Sequence, residues 1–347
     1  MMLTESKKRN ERKMKKSSAA FSRGVAFTLL AVSLALVPMG FADEEKPAVP
    51  AVKADKSIKL SGYTQILGSV QKDAVDSLSV RRSRFSLSVN ILKDIKAKFT
   101  IDAVRTPVLV DAFVDVSFTK YANLTFGQFF VPFGVESTTS TADLDTIDRS
   151  QPVEKLAPGR DIGTIGRDVG VMLSGNFSIL NYSVGMFNGS GANKADTNDA
   201  KDFAGRIGVK PFDFLTIGAS LYKGKYNTAL EAPLVRRDRT GIDAGIALGN
   251  ASLKGEYLWG YDGKTDRRGW FVQAGWFILP KQLQIVAKFD TYDKDVNLAD
   301  DRTNLYTAGL NWILSDKTKI QLNYEYLRSE LSETLNQALL VQFQVGF

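Results

Sequence analysis

Asn336-Gln337-Ala338-Leu339-Leu340-Val341-Gln342-Phe343-Gln344-Val345-Gly346-Phe347 is the segment whose reading decides the fold. Leu339, Val341, Phe343, Val345 and Phe347 share one parity. Ala338, Gln342, Gln344 and Gly346 share the other, and Leu340 is the one misfit. Alternation with period two builds a strand with two unlike faces. An amphipathic strand that ends on an aromatic residue is expected in a bacterial outer-membrane barrel, its apolar face on lipid and its polar face on water.

The pattern recurs along the chain. Alternating segments lie near 57–71, 77–91, 94–104, 107–119, 122–131, 167–176, 178–189, 201–210, 212–223, 239–249, 251–260, 268–279, 281–291, 302–314, 317–328 and 336–347. They predict an all-β chain, a transmembrane antiparallel β-barrel of about 16 strands. Connections alternate in length. Those at 92–94, 120–123, 210–213, 249–252, 280–281 and 315–318 are tight and carry turn-forming Gly, Asn, Asp or Pro. Those near 132–166, 190–200, 224–238, 261–267, 292–301 and 329–335 are longer. Short periplasmic turns with long outer loops are the outer-membrane pattern, which a soluble sandwich or soluble barrel does not need. Trp259 and Trp270 fall at loop-side strand ends, Trp276 and Trp312 toward turn-side ends. Tyr182, Tyr257, Tyr306, Tyr324 and Tyr326 share the outward parity, as girdles at two lipid–water boundaries require.

Composition narrows the chemistry. The 347 residues include no Cys and no His, which excludes disulfides, Cys or His metal sites, Ser-His-Asp and Cys-His catalysis, and a His-dependent phospholipase barrel. No enzyme activity, cofactor or metal is expected. Hydrophobic residues make up 44%, lower than a helical membrane protein needs, but a barrel hides its apolar half in alternation.

Residues 1–42 read as a signal peptide. Lys7 to Arg23 is basic, Val25 to Pro38 is an apolar core, and Gly40-Phe41-Ala42 suits cleavage after Ala42. The core is shorter than the ~20 residues that a spanning helix requires. This leader holds eight Lys+Arg and two Asp+Glu of the chain's 45 and 38, so the remainder carries 37 and 36 and a net charge of +1. The overall charge is therefore no sign of nucleic-acid binding. Residues 43–56, with Pro47 and Pro50, read as a periplasmic N-terminal tail, and 57–347 as the barrel.

Parity sorts the charges. Phe85, Leu87, Val89 and Ile91 face lipid, which turns Arg82, Arg84, Ser86, Ser88 and Asn90 to the lumen. Arg81 has lipid parity and is expected at the rim with its head reaching water. Lys96, Lys98 and Asp102 are inside, then Asp111 and Asp115. Later strands add Arg206, Lys210, Lys254, Glu256, Lys288, Asp290, Lys319 and Glu325. A barrel of this size encloses an aqueous channel. Two readings stand. Either these charges pair and keep the wall wet, or Arg82, Arg84, Lys96, Lys98 and Arg206 form a basic track for anions. Arg236, Arg237 and Arg239, with Arg267 and Arg268, would widen that track into an outer funnel.

The longest loop, near 132–166, is expected to fold inward and constrict the pore. Glu136, Asp143, Asp145, Asp148, Arg149 and Arg160 are its candidate constriction residues. Its three Asp lack the Gly and final Glu of an EF-hand, so salt bridges to the wall are favoured over calcium.

Taken in order, Arg81-Arg82-Ser83-Arg84-Phe85, Asp111-Ala112-Phe113-Val114-Asp115, Gly127-Gln128-Phe129 with Pro132-Phe133-Gly134, Asp143-Leu144-Asp145 to Arg149-Ser150, Ala157-Pro158-Gly159-Arg160, Arg167-Asp168-Val169-Gly170 and Phe187-Asn188-Gly189-Ser190-Gly191 resemble the phosphate-selective porin O and P family. The resemblance implies a sixteen-stranded porin, usually trimeric, whose third outer loop enters the pore and whose lumen Arg and Lys serve phosphate or pyrophosphate uptake. Carried over, Arg81, Arg82 and Arg84 are the expected binding positions. Family members often carry Lys after the Gly-Gln-Phe motif, where this chain has Phe130. The expected function is a passive outer-membrane channel for small hydrophilic solutes, with anion or phosphate preference. Its expected partners are outer-membrane lipid and lipopolysaccharide, small anions such as phosphate, and two further copies in a homotrimer. The alternatives are a non-selective porin without a phosphate site and a structural or adhesive barrel.

Overall fold

The computed structural model describes residues 57–347 apart from 73, 197, 228–232 and 331–334. The expected signal peptide and tail lie outside the described residues. The strands are β1 (Ser57–Gln71), β2 (Ser77–Leu92), β3 (Ile95–Asp102), β4 (Leu109–Thr119), β5 (Ala122–Phe130), β6 (Arg167–Phe177), β7 (Leu180–Phe187) and β8 (Asp202–Phe212). They continue with β9 (Leu215–Asn227), β10 (Leu234–Leu248), β11 (Ala251–Asp262), β12 (Thr265–Leu279), β13 (Leu283–Asp293), β14 (Arg302–Ser315), β15 (Thr318–Ser329) and β16 (Leu335–Gly346). Each pairs with its sequence neighbours, and β1 with β16, in a closed barrel. The expected sixteen-stranded antiparallel barrel is the observed fold.

Closure follows from the solvent. Lipid offers no hydrogen bonds, so an open strand edge would strand backbone groups at a cost of several kcal/mol each. The terminal segment answers this directly. β1 and β16 pair from Tyr63↔Gly346 to Gln71↔Ala338. Beyond the strand, Phe347 N–H donates to Gly62 O at 3.0 Å and Gly62 N–H to Phe347 O at 3.2 Å. The misfit Leu340 turns inward and is buried, opposite Asn323 in the register.

Arg81 departs from its expected lipid-side place. β1 and β2 match Gln65 with Arg82 but Ile66 with Val80, so Arg81 is the extra residue of a β-bulge. A bulge breaks the alternation and re-aims a side chain. Two consecutive arginines thereby enter the lumen. Arg81 pairs there with Asp148 and donates to Gln342 Oε1 at 3.4 Å.

The second departure is the length of the strands on the outer-loop side. β9 runs to Asn227 and β10 begins at Leu234, so Arg236, Arg237 and Arg239 are strand residues rather than loop residues. Period-two pairing tolerates charges above the hydrocarbon, where one face meets water and the other meets loop groups.

Inside the barrel, the packed core is the seat of the long loop. Phe133, Val153 and Leu156 from the loop pack with Phe187, Tyr222, Leu258 and Phe271 from the wall. All four Trp lie on β11, β12 and β14, and the outward Tyr of the strands lie on β7, β11, β14 and β15. Among the described residues no outward-facing Trp or Tyr lies in the strands β1–β6 themselves, and the exposed Tyr121 sits in the β4–β5 turn.

Candidate functional site

Residues 131–166, between β5 and β6, cross the lumen and carry two short helices, α1 (Val135–Thr138) and α2 (Gln151–Leu156). The entry bend needs Gly134. Its φ of 64° is in the left-handed region, and a Cβ there would lie 2.6 Å from Glu256 Oε2. Glu136 then clasps the two halves. Its Oε2 accepts from Ser150 N–H at 2.9 Å and Ser150 Oγ at 2.8 Å. Arg149 donates to Glu136 O at 3.0 Å and also to Thr139 O. Arg160 donates to Ser137 Oγ at 3.0 Å and pairs with Glu154 at 3.2 Å. Glu136, Arg149 and Arg160 are thus buried inside this loop as its brace, and their side chains do not face the pore.

The loop is tied to one half of the wall. Lys254 and Gln273 hold Asp145 at 2.8 and 2.6 Å. Lys319 donates to Leu144 O at 2.6 Å, Asn311 to Asp145 O at 2.8 Å, and Lys288 to Asp148 O at 2.7 Å. Asn323 Oδ1 accepts from Ile147 N–H at 2.6 Å. Gln342, Gln321, Asn311 and Gln284 form a side-chain amide belt across β16 to β13 beneath these contacts. At the far end Arg239 donates to Leu156 O at 2.9 Å and pairs with Asp161 and Asp262, each at 2.8 Å. Asp145 and Asp148 therefore meet wall cations rather than a shared metal position. Asp143, two residues before Asp145, is exposed.

The Asp145 carboxyl titrates with the loop. Burial works to raise its pKa, but the Lys254 ammonium, the Gln273 amide and nearby Lys319 outweigh burial and hold it below the usual carboxylate range. A depressed folded-state pKa gives a tie present above the unfolded value and lost as pH falls through the folded one. The contribution of Asp145 to conductance is therefore expected to stay constant as pH falls to about 4, near the unperturbed Asp value. It should change only in more acid solution. A change centred above pH 5 in single-channel recordings that Asp145→Asn abolishes would contradict this tie.

The other half of the lumen stays open. A cavity of about 400 Å³ lies between Ser140 of the loop and the inner wall of β1–β6. Arg84, Lys98 and Arg167 line it, with Asp111 and Asp115 among them. Down the β2–β3 wall, Arg82 leads to Arg84, then Lys98 opposite Ser88, then Lys96 opposite Asn90. Successive rungs on one face are roughly 6.6 Å apart. Arg84 pairs with Asp102 at 3.0 Å, while Lys98 stands 4.0 Å from Asp111. Arg82 donates to the neutral Gln65 Oε1 at 2.9 Å. Among the described residues neither Arg82 nor Lys96 has a carboxylate within ion-pair distance. Arg206 stands apart on β8 in a bidentate pair with Asp243.

The structure corrects the outer funnel. Arg237 is buried against Asp202, Tyr222 and Gly189 O, and Arg239 holds the loop. Arg267 pairs with Asp262 at 3.3 Å and Arg268 with Asp293 at 3.5 Å. Arg236 has outward parity and pairs with Asp238. Phe130 has its own partner: the Arg167 guanidinium lies over its ring at 3.4 Å. The ring thus steadies an arginine that also pairs with Asp111 at 3.1 Å. Sequence reading missed the seat of the loop. The available signal was apolar residues at lumen parity, such as Leu258 and Phe271.

Comparison with known proteins agrees with this architecture. An anion-selective porin from Comamonas acidovorans is similar with a TM-score of 0.67 at 17% identity, covering 84% of this chain and 100% of that one. OmpF of Salmonella typhi matches with a TM-score of 0.64 at 11% identity, covering 84% and 98%. OmpT of Vibrio cholerae in its trimer form matches with a TM-score of 0.59 at 13% identity, covering 84% and 99%. No curated protein matches by sequence. The family model for phosphate-selective porin O and P matches residues 61–237 and 222–347. With the closed barrel, the inward loop and the open half-lumen, that match places the chain in the phosphate-selective porin O and P family, a channel of the outer membrane.

Proposed function

We propose that the channel prefers anions, phosphate among them, and that the open half of the lumen is the solute path. The observation that carries this is the axial run Arg82, Arg84, Lys98 and Lys96, whose first and last members have no carboxylate partner among the described residues. Two of the loop acids are engaged, Asp145 by Lys254 and Asp148 by Arg81. Lys96 and Lys98 carry that positive charge to the water, with Arg82 buried behind them against Gln65, and rows of Arg and Lys select anions in pores. Arg forks suit phosphate oxygens, and Lys adds point charge. The anion-selective Comamonas porin supports the same reading by fold. Transport is down the gradient, without a chemical step.

A non-selective channel is the second reading. It is favoured by Arg84, Arg167 and Arg206, each already paired with a carboxylate. Phosphate separates the two. Added to a chloride-conducting channel, phosphate is expected to reduce the current in the wild type, with little reduction in Lys96→Gln/Lys98→Gln. Undiminished current in the wild type would leave only the non-selective reading.

The same proposal includes export through a signal peptide cleaved after Ala42, a periplasmic tail over 43–56, and a homotrimer in lipid and lipopolysaccharide. The trimer contact belongs on β1–β6, where outward Trp and Tyr are missing among the described strand residues. A girdle serves a wall that meets lipid headgroups, and a wall covered by another copy has no use for one.

A further inference from the structure

On the outer wall, within the arc that carries the girdle, two features meet. The first is an apolar groove of about 650 Å³ on the outer face of β8–β12. It forms because Ala219 and Ala244 are short where Ile207 and Ile217 on one side, and Trp270 and Val272 on the other, stand taller. The second lies toward the outer-loop end of the same strands. Lys223 and Lys225 face outward on β9 and Arg236 on β10, with Lys225↔Arg236 and Lys223↔Asp238 in register. Lys223 and Arg236 share the single carboxylate of Asp238 yet remain 52% and 53% exposed. Lys225 has no side-chain ion pair among the described residues, and Arg236 lies over the Tyr261 ring at 4.8 Å. Among the described residues the next outward carboxylate, Asp266, lies beyond Tyr261 on β12.

Three cations thus face one carboxylate on a wall whose lower rows are Leu221, Ala219 and Ile242. Ala219 lies four residues below Lys223, roughly 13 Å along the strand. Cations at the edge of a hydrocarbon belt are stable when their heads reach the headgroup layer, where phosphate oxygens supply the missing charge. We propose that this wall binds one phosphorylated lipid of the outer leaflet. Lys223, Lys225 and Arg236 hold its phosphate, and an acyl chain lies in the groove below.

The test uses the purified full-length porin in detergent, bisphosphorylated lipid A and its dephosphorylated form, with lipid retained per chain read by native mass spectrometry. Wild type is expected to retain lipid A and to hold the dephosphorylated form about tenfold less well. Lys223→Gln/Lys225→Gln/Arg236→Gln should bring lipid A down to that lower level. Ala244→Phe fills the groove without touching the cations and should also reduce retention. KCl conductance should be unchanged in both, which shows that the barrel is folded and keeps this result independent of the pore. Equal retention by the triple variant, or of the two lipids by wild type, overturns the proposal. So does displacement of lipid A by inorganic phosphate, which would make this a site for free anions.

Discussion

Replacing Arg84 by Met is expected to destabilise the barrel by about 3–5 kcal/mol, the usual cost of removing one partner from a buried ion pair. Asp102 is fully buried and sits 3.0 Å from the Arg84 guanidinium. Without Arg84 its remaining donors are the Ser83 and Val104 N–H groups at 3.2 and 3.5 Å. Both reach Oδ1 only, so Oδ2 is left bare and the charge is not neutralised. Adding Asp102→Asn removes the orphaned charge, so the double variant should recover most of the loss. Equilibrium unfolding of the two single variants and the double in lipid vesicles measures the coupling. Wild-type stability in Arg84→Met would show that the pair is solvated. Arg84 is consequently a poor residue for testing selectivity, because its removal perturbs the wall itself. Lys96 and Lys98 are more exposed, have no such close carboxylate and test charge with less disturbance, whereas Arg82 is buried against Gln65.

Phe133→Ala should act on the loop rather than on the barrel. Phe133 is 1% exposed within the apolar cluster that seats the loop inside an aqueous lumen. Truncating a buried Phe costs about 3–5 kcal/mol, which here falls on docking of the loop. The barrel hydrogen bonds are untouched. Single-channel currents are expected to grow and to flicker, because the loop spends time away from the wall. Quiet currents of wild-type size would mean that the polar ties at Asp145, Leu144 and Ile147 suffice, and the apolar seat would lose its role.

Strand count and closure were legible because a membrane wall imposes one rule on every strand. Leu339, Val341 and Phe343 face lipid and Gln342 and Gln344 face the lumen for the same reason that Phe85 and Arg84 do. Residues for which another contact overrides parity were not legible. Arg81 reaches Asp148 only because a bulge, invisible in composition, shifts the register at Gln65. Leu258 and Phe271 look like errors on a water-filled face until Phe133 and Leu156 cover them. The fate of each arginine depended on partners distant in sequence. Arg237 finds Asp202 and Arg239 finds Asp161, which turned an expected funnel into structural ties. Arg82 and Lys96 found no carboxylate among the described residues, and they now carry the claim about anions.

That claim is tested most directly by the reversal potential of the purified channel in a planar bilayer under a KCl gradient. An anion-selective potential is predicted for the wild type, collapsing toward zero in Arg82→Gln/Lys96→Gln/Lys98→Gln. A cation-selective potential in the wild type, or an unchanged potential in the triple variant, would contradict the account.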